Sequence, residues 1–291
     1  MRLQPQPQPL LLVCLAAVML GLGGIGWLAR DLSSQGANRP GRSLLELLED
    51  IGKPSPPPQQ GHGGSAPAPP AHAAWRSPLV QSCQAQPGQR QRLSALVSQL
   101  RQSPTRVRID PSNYGERHSR DAFGNPLDPN PRLVVLHETV YGIQSAINTF
   151  RTPHPRDDDQ VSYHALVALD GAVVFLLDPS KRAFGAGNSA FRGEWAVTNA
   201  KVQGSVNNFA LHVSLETPLD GEHAGARHSG YTAAQYDALA ALLALWMQTY
   251  PITPDQIVTH RGVDLGGERA DPRSFDWGAL QQRLSSLGLL C

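Results

Sequence analysis

The sequence lacks an excess of charge of either sign, because 25 lysines and arginines stand against 24 aspartates and glutamates and the net charge is +1. A general nucleic-acid-binding protein normally shows a clear basic excess, so we expect no nucleic-acid partner. The chain also lacks a His-Glu-x-x-His motif, which argues against a zinc peptidase of that class. What remains is a chain of balanced charge whose 291 residues suffice for one sizeable domain with attachments.

Cysteine is scarce, with three residues in the whole chain. Cys14 lies in an apolar run and fits there as a small apolar residue. Cys83 and Cys291 could form a disulfide in an oxidising compartment, which would tie the last residue to the start of the globular part. Elsewhere they would be two free thiols. The sequence leaves both states open, and it does not give the oligomeric state.

Near the N-terminus, residues 10–29 form an almost unbroken apolar run, and about 20 such residues can cross a bilayer as a helix. Residues 1–30 are therefore either an uncleaved signal-anchor or a cleaved secretory signal. The anchor is favoured, because no clean small-x-small cleavage site follows and the run exceeds a typical signal core. Both alternatives predict export, with the chain either anchored in the inner membrane and facing the periplasm and cell wall or secreted to the periplasm.

Composition divides the rest of the chain into three parts. Residues 31–74 are rich in proline, glycine and small polar residues, which is typical of an extended, semi-rigid linker. The globular part begins near Trp75, and we expect residues 75–131 to be an N-terminal extension of a main domain over 132–291. The linker would let an anchored domain reach away from the membrane.

Hydrophobic periodicity predicts strands and helices that alternate along the globular part. The dipeptide Asp170-Gly171 between two apolar runs predicts a β-hairpin. Thr232 and Gln235 have the spacing of a capping box, which marks the start of a long helix. The other predicted strands are 132–136, 209–215 and 257–259, and the other predicted helices are 94–102, 141–150 and 276–287. This alternation predicts an α/β fold with a mixed central β-sheet flanked by helices.

Three residues far apart in the sequence have the chemistry to hold one zinc ion (Zn2+). His137 ends an apolar strand, His260 follows another strand, and Asp271 lies in the loop beyond. Two imidazoles and one carboxylate give zinc three protein ligands and leave a fourth position open to water or substrate. A single histidine at a strand end is more often structural, so the prediction rests on the combination. An open position characterises catalytic zinc, so the set predicts a hydrolase.

Four segments resemble the zinc-dependent N-acetylmuramoyl-L-alanine amidases of the type-2 family, which are related to peptidoglycan recognition proteins and phage amidase-lysozymes. The resemblance covers about half of the chain, from Arg132 to Trp277. The segments are LVVLHET at 133–139, VSYH at 161–164 with DG at 170–171, AFGAG at 183–187, and THR at 259–261 with ERADP at 268–272 and FDW at 275–277. The last is the most specific, and the family fills its third ligand position with Asp or Cys, here Asp271.

The resemblance implies cleavage of the amide bond between N-acetylmuramic acid and the L-alanine of the stem peptide in peptidoglycan. It implies His137, His260 and Asp271 as the zinc ligands. Tyr163 matches a catalytic tyrosine of the recognition-protein and phage branch, and its hydroxyl would orient the water or donate to the oxyanion. Arg269 stands where the family often places lysine, and would stabilise negative charge without donating a proton.

The sequence departs from the family pattern at two places. The family usually has histidine where this chain has Gly185, so we expect altered substrate contacts. The cytosolic branch has a catalytic glutamate where this chain has Ser214. Period-2 alternation puts His212, Ser214 and Glu216 on one face of the strand, which makes Glu216 a candidate general base. The general base stays open, and we prefer Tyr163 acting with zinc over a glutamate.

Two functions fit this pattern. The first is a peptidoglycan amidase, whose partners would be a peptidoglycan or muropeptide substrate and the membrane through the N-terminal helix. The second is a non-catalytic module that binds peptidoglycan in the same groove. That branch of the family usually lacks a zinc ligand, whereas this chain has all three, so the enzyme is favoured.

Overall fold

The centre of the computed structural model, which describes residues 65–71 and 74–291, is a six-stranded mixed β-sheet. The strands in these ranges are β1 (Thr105–Arg106), β2 (Tyr114–Glu116), β3 (Leu133–Glu138), β4 (Ala165–Val167), β5 (Val173–Phe175), β6 (Lys181–Ala183), β7 (Ala210–Leu215) and β8 (Ile257–Thr259). The sheet order is β1-β5-β4-β7-β3-β8, in which β4 and β5 run antiparallel and the other neighbours run parallel. β2 and β6 form a separate antiparallel pair. The predicted mixed sheet is confirmed.

Helices flank this sheet, as the sequence predicted. The α-helices of the described ranges are α1 (Pro87–Gln102), α2 (Ile143–Arg151), α3 (Ala233–Thr249), α4 (His260–Val263) and α5 (Trp277–Ser286). One sheet face packs on α3 and α5, whose Leu239 and Leu280 share a buried cluster with Leu136 of β3. On the other face, Phe150 of α2 packs in a cluster with Leu166 of β4. The central strands are therefore covered on both sides.

The packing of helices on both faces of the sheet explains the apolar composition of β3. Residues Leu133 to Leu136 are all fully buried, and parallel strands with helices on both faces read as continuous apolar runs. β3 lies between β7 and β8 and runs parallel to both. The carboxyl ends of these three strands therefore lie at one edge of the sheet, where α/β folds commonly place their sites.

The predicted hairpin and capping box are both present. Val167 of β4 lies opposite Val173 of β5, and the connecting Gly171 has a φ of +86°, which favours glycine. At the start of α3, the side chain of Thr232 accepts from the Gln235 backbone N–H, and the Gln235 side chain accepts from the Thr232 N–H. Both elements were predicted correctly, because the geometry of a tight turn and of a helix cap depends on neighbouring residues only.

Some boundaries differ from the prediction. β3 continues to Glu138, so His137 lies inside the strand rather than after it. α1 begins at Pro87 instead of residue 94, because proline is favoured in the first turn of a helix. His260 opens the short helix α4, whose N-cap Thr259 accepts a hydrogen bond from Gly262 N–H.

No helix in the described ranges is long and apolar enough to cross a bilayer. The predicted membrane helix at 10–29 and most of the predicted linker lie outside the described residues. Residues 75–131 pack against the main domain, since Val97 of α1 shares a buried cluster with Ala241 of α3. The predicted domain limits stay a prediction. Cys83 and Cys291 are free and exposed in the structure.

Candidate active site

The structure brings His137, His260 and Asp271 together at the carboxyl edge of β3 and β8. Their candidate ligand atoms all lie within 4.8 Å of one another. His137 Nδ1 lies 3.2 Å from Asp271 Oδ2, and His260 Nδ1 lies 3.0 Å from Asp271 Oδ1. His137 lies on β3 and His260 directly follows the neighbouring parallel strand β8, and the loop after α4 carries Asp271 back to them. The three residues predicted from sequence therefore form one group.

The spacing of these atoms fits a tetrahedral cation. Zinc–nitrogen and zinc–oxygen bonds of about 2.0–2.1 Å place neighbouring tetrahedral ligand atoms about 3.3 Å apart. Asp271 Oδ2 lies 3.2 Å from both His137 Nδ1 and His260 Nδ1, which is close to that edge length. The donor set of two imidazoles and one carboxylate is one that zinc accepts at catalytic sites. The residues present therefore fit the ion that the sequence predicted.

The protonation states also suit a cation. Burial, together with the nearby His260, lowers the pKa of His137 to about 4, so its ring is neutral at neutral pH. Burial alone would raise the pKa of Asp271, but hydrogen bonds donated by the Nδ1–H tautomers of His137 and His260 outweigh it and hold that pKa below the usual range. A cation held between these atoms would take the place of both protons. The site thus combines a neutral imidazole with a carboxylate that stays ionised.

A network around Glu138 holds the loop that carries Asp271. The Glu138 carboxylate accepts hydrogen bonds from Arg273 and from the Tyr231 hydroxyl, and it lies 3.1 Å from His228 Nε2. Arg273 N–H donates to Glu138 Oε2 at 2.9 Å, only two residues after the ligand Asp271. Glu138 also lines the cleft, and its bonds to Arg273 support the loop that carries Asp271.

Tyr163 lies against the ligand group. Its ring stacks on His137 with 4.5 Å between ring centroids, and Phe150 packs edge-on at 5.4 Å. Burial raises the pKa of the Tyr163 phenol, with the negative charge of Asp271 adding to the effect, so the hydroxyl keeps its proton. A protonated hydroxyl can donate to a developing oxyanion.

The ligand group opens into a cleft of about 1500 Å³. Tyr163, His260, Arg269 and Asp271 all line it, so the predicted cation Arg269 faces the same space as the ligands. A concave site with a few convergent polar groups is typical of ligand and substrate binding, and this cleft exceeds the usual volume of about 300–1,000 Å³.

Glu216 is not brought to the ligand group. Its Oε1 accepts from the backbone N–H of Ile143 and its Oε2 from that of Leu169, both at 2.8 Å. Ile143 is the first residue of α2, where an anionic side chain satisfies free backbone donors. The prediction extended the alternation of β7 to Glu216, but the strand ends at Leu215 and the Glu216 carboxylate anchors α2.

Sequence reasoning missed a role for His212. Its ring is fully buried, and its Nδ1 lies 2.9 Å from His137 Nε2, on the opposite side of the His137 ring from Asp271. Burial, followed by the proximity of His137, lowers the pKa of His212 well below its usual value, so the ring is neutral. The sequence did contain a signal for His212, because strand alternation grouped it with Ser214 on one face. Alternation does not show, however, which side chain contacts a ligand.

Comparison with known proteins places this geometry in a family. The model of the N-acetylmuramoyl-L-alanine amidase family (Amidase_2) matches residues 126–274. The AmpD 1,6-anhydro-N-acetylmuramyl-L-alanine amidase of Citrobacter freundii is 32% identical over 173 residues, covering 59% of this chain and 73% of that protein. Its Haemophilus influenzae counterpart is 28% identical over 174 residues, covering 59% of this chain and 74% of that protein.

Two solved structures are also similar to this chain. A selenomethionine derivative of AmpD has a TM-score of 0.47 at 26% identity, covering 62% of this chain and 93% of its own. AmpDH3 from Pseudomonas aeruginosa, solved with an anhydromuramic pentapeptide, has a TM-score of 0.41 at 22% identity, covering 53% of this chain and 59% of its own.

These relatives overturn one prediction. Export of the chain, with an inner-membrane anchor or release to the periplasm, was expected from the apolar run at 10–29. The curated relatives found are instead AmpD amidases, so neither export nor a membrane partner is supported. The length of an apolar run shows only that a segment could span a bilayer.

The ligand geometry, the cleft and the relatives agree with one another. The family model spans about half of the chain and includes all three candidate ligands. The chain therefore belongs to the type-2 N-acetylmuramoyl-L-alanine amidases, and it is an enzyme of that activity.

Proposed function

We propose that this amidase uses a zinc ion held by His137, His260 and Asp271 to hydrolyse the bond between N-acetylmuramic acid and L-alanine in muropeptides. The observation that carries the proposal is the group of three ligand atoms within 4.8 Å, open to a large cleft. The relatives are named 1,6-anhydro-N-acetylmuramyl-L-alanine amidases, which favours muropeptides with a 1,6-anhydro end as substrates.

Two residues of the chain stabilise the negative charge that develops on the scissile carbonyl oxygen, while the group that moves the proton stays open. Zinc, when bound, polarises the scissile carbonyl and makes the attacking water more acidic. The Tyr163 hydroxyl, protonated and beside His137, donates a hydrogen bond to the oxyanion that forms as water adds. Arg269 lines the same cleft and favours that negative charge electrostatically. Glu216 takes no part, because both of its oxygens are bound to backbone N–H groups.

Metal analysis and product analysis of the purified chain test the proposal together. We expect about one zinc per chain, and release of intact stem peptide from muropeptides, with both lost after treatment with a chelator. Mass spectrometry of the products identifies the bond cleaved. Full activity in a preparation shown to be metal-free would contradict the proposal.

The role of Tyr163 is tested by Tyr163→Phe. This change removes one hydroxyl and keeps the ring that stacks on His137. Loss of an oxyanion donor lowers kcat by about 10²–10³-fold, so we expect a fall of that order with KM and zinc content preserved. Turnover equal to that of the unmodified enzyme would remove Tyr163 from the mechanism.

A further inference from the structure

His212 occupies a space that the neighbouring backbone leaves open. A Cβ atom placed on Gly185 would lie 2.4 Å from His212 Nδ1 and 2.6 Å from its Cγ. Real Cβ atoms do not approach so closely, so only glycine at 185 admits the His212 ring in this position. This chain, which lacks the usual family histidine at 185, thus has the ring of His212 from β7 in the space where a side chain at 185 would begin.

The tautomer of His137 decides which hydrogen bond it can form with His212. His137 Nδ1 faces Asp271 and His260, so this is the nitrogen whose lone pair a cation would take. A neutral imidazole with a free lone pair on Nδ1 carries its proton on Nε2. That nitrogen lies 2.9 Å from His212 Nδ1. His212 Nδ1 is therefore positioned to accept the Nε2–H of a cation-bound His137.

The backbone holds the His212 ring in place. His212 N–H donates to His164 Nδ1 at 3.0 Å, and His164 N–H donates to the His212 carbonyl at 2.9 Å. The two rings lie parallel, with centroids 6.0 Å apart and an interplanar angle of 7°. His212 Nε2 is buried and has no hydrogen-bond partner among residues 65–71 and 74–291. Within these ranges, the hydrogen bond of the His212 ring is the one with His137.

We propose that His212 is a positioning residue that orients the ligand His137 through a His137 Nε2–H to His212 Nδ1 hydrogen bond, in space provided by Gly185. The inference rests on the proposed zinc site. Metal-binding histidines generally donate their second ring N–H to an acceptor, which fixes both the tautomer and the ring orientation. A neutral histidine in that role gives His137 an acceptor without adding negative charge beside Asp271.

The first test compares two substitutions at 212 in the full chain. His212→Leu removes the acceptor and keeps an apolar side chain of similar bulk, while His212→Asn places an amide oxygen near the position of Nδ1. Losing an outer partner of a ligand costs about 10–100-fold in metal affinity, so we expect such a rise in the zinc dissociation constant for H212L and substantial recovery for H212N. Chelator competition measures the constant, and the absorption spectrum of the cobalt form reports ligand geometry.

A matched control separates positioning from packing. Gln235 of α3 is as deeply buried as His212, and its side chain bonds to backbone groups of Thr232, Val167 and Glu216. We expect Gln235→Ala to lower the melting temperature of the metal-free protein while keeping the zinc dissociation constant. If folded H212L binds zinc as tightly as the unmodified chain, or if H212N is as weak as H212L, the inference is wrong. Failure of the unmodified chain to bind zinc would instead overturn the proposed function.

The second test concerns Gly185. Its φ is not in the left-handed region, so alanine is tolerated by the backbone and the obstacle is the His212 ring. We expect Gly185→Ala to weaken zinc binding in the unmodified chain but to cause no further loss in the background of His212→Ala. Equal losses in both backgrounds would mean that Gly185 acts independently of His212.

Discussion

Replacing His260 by alanine is expected to abolish both zinc binding and amidase activity. The change removes one of three ligands, and the remaining two would come from His137 and Asp271 alone. Loss of an outer partner already costs about 10–100-fold in affinity, so loss of a ligand should exceed about 100-fold. Metal content after dialysis and the rate of stem-peptide release from muropeptides are the two measurements.

The control for this prediction is a histidine outside the ligand group. His154 is partly buried, and its Nδ1 lies 2.8 Å from Asn113 Oδ1. We expect His154→Ala to retain zinc and activity, with at most a loss of stability. If H260A kept full activity in metal-free buffer while the protein stayed folded, the catalytic assignment of the whole group would fail.

The third ligand offers a substitution that should preserve the site. Thiolate is a good zinc ligand, and the resembled family uses Asp or Cys at the position of Asp271. We therefore expect Asp271→Cys to keep zinc where Asp271→Ala loses it. The pair of variants distinguishes a metal ligand from a carboxylate that acts only as a hydrogen-bond acceptor for His137 and His260.

The ligands could be predicted from sequence by combining a local pattern with the resemblance to the type-2 amidases. His137 and His260 stand at the ends of apolar runs that became β3 and β8, and neighbouring parallel strands bring their carboxyl ends to one edge. The resemblance then singled out Asp271. Apolar runs, the Asp-Gly turn and the capping box are properties of adjacent residues, so the fold class could be predicted as well.

The supporting contacts could not be predicted in the same way. Alternation grouped Glu216 with His212 and Ser214, yet its carboxylate anchors α2 through Ile143 N–H, a contact that depends on where a distant helix begins. The contact between His212 and His137 depends on Gly185, which lies on a third segment of the chain. Such contacts join residues far apart in sequence, and no periodicity or spacing encodes them.

Glu138 gives the largest expected effect on stability. Its side chain is 7% exposed, and its partner Arg273 is 11% exposed, so the ion pair is shielded from water. Removing one member of a buried pair leaves the other charge uncompensated, which costs about 3–5 kcal/mol. We therefore expect Glu138→Ala to lower the free energy of unfolding by that amount, and to lower the melting temperature by about 10 °C for a domain of this size.

Glu138→Ala should also weaken zinc binding. Arg273 N–H donates to Glu138 Oε2, and the Arg273 guanidinium holds the carbonyl groups of Gly221, His223 and Gly225. Without Glu138, the segment that follows Asp271 loses its anchor, so zinc affinity should fall along with stability. Glu138→Gln keeps an acceptor oxygen, so its stability and zinc affinity should lie between those of the unmodified chain and those of E138A. It can take the place of E138A in the comparison if E138A does not fold.

An exposed ion pair provides the matched control. Glu194 pairs with Arg132 at the surface, where the Glu194 side chain is 53% exposed. Exposed pairs contribute about 0–1 kcal/mol, so Glu194→Ala should barely change the unfolding curve or the zinc dissociation constant. If denaturant unfolding showed E138A to be no more destabilised than E194A, the Glu138 network would not be what holds the loop of Asp271 against β3.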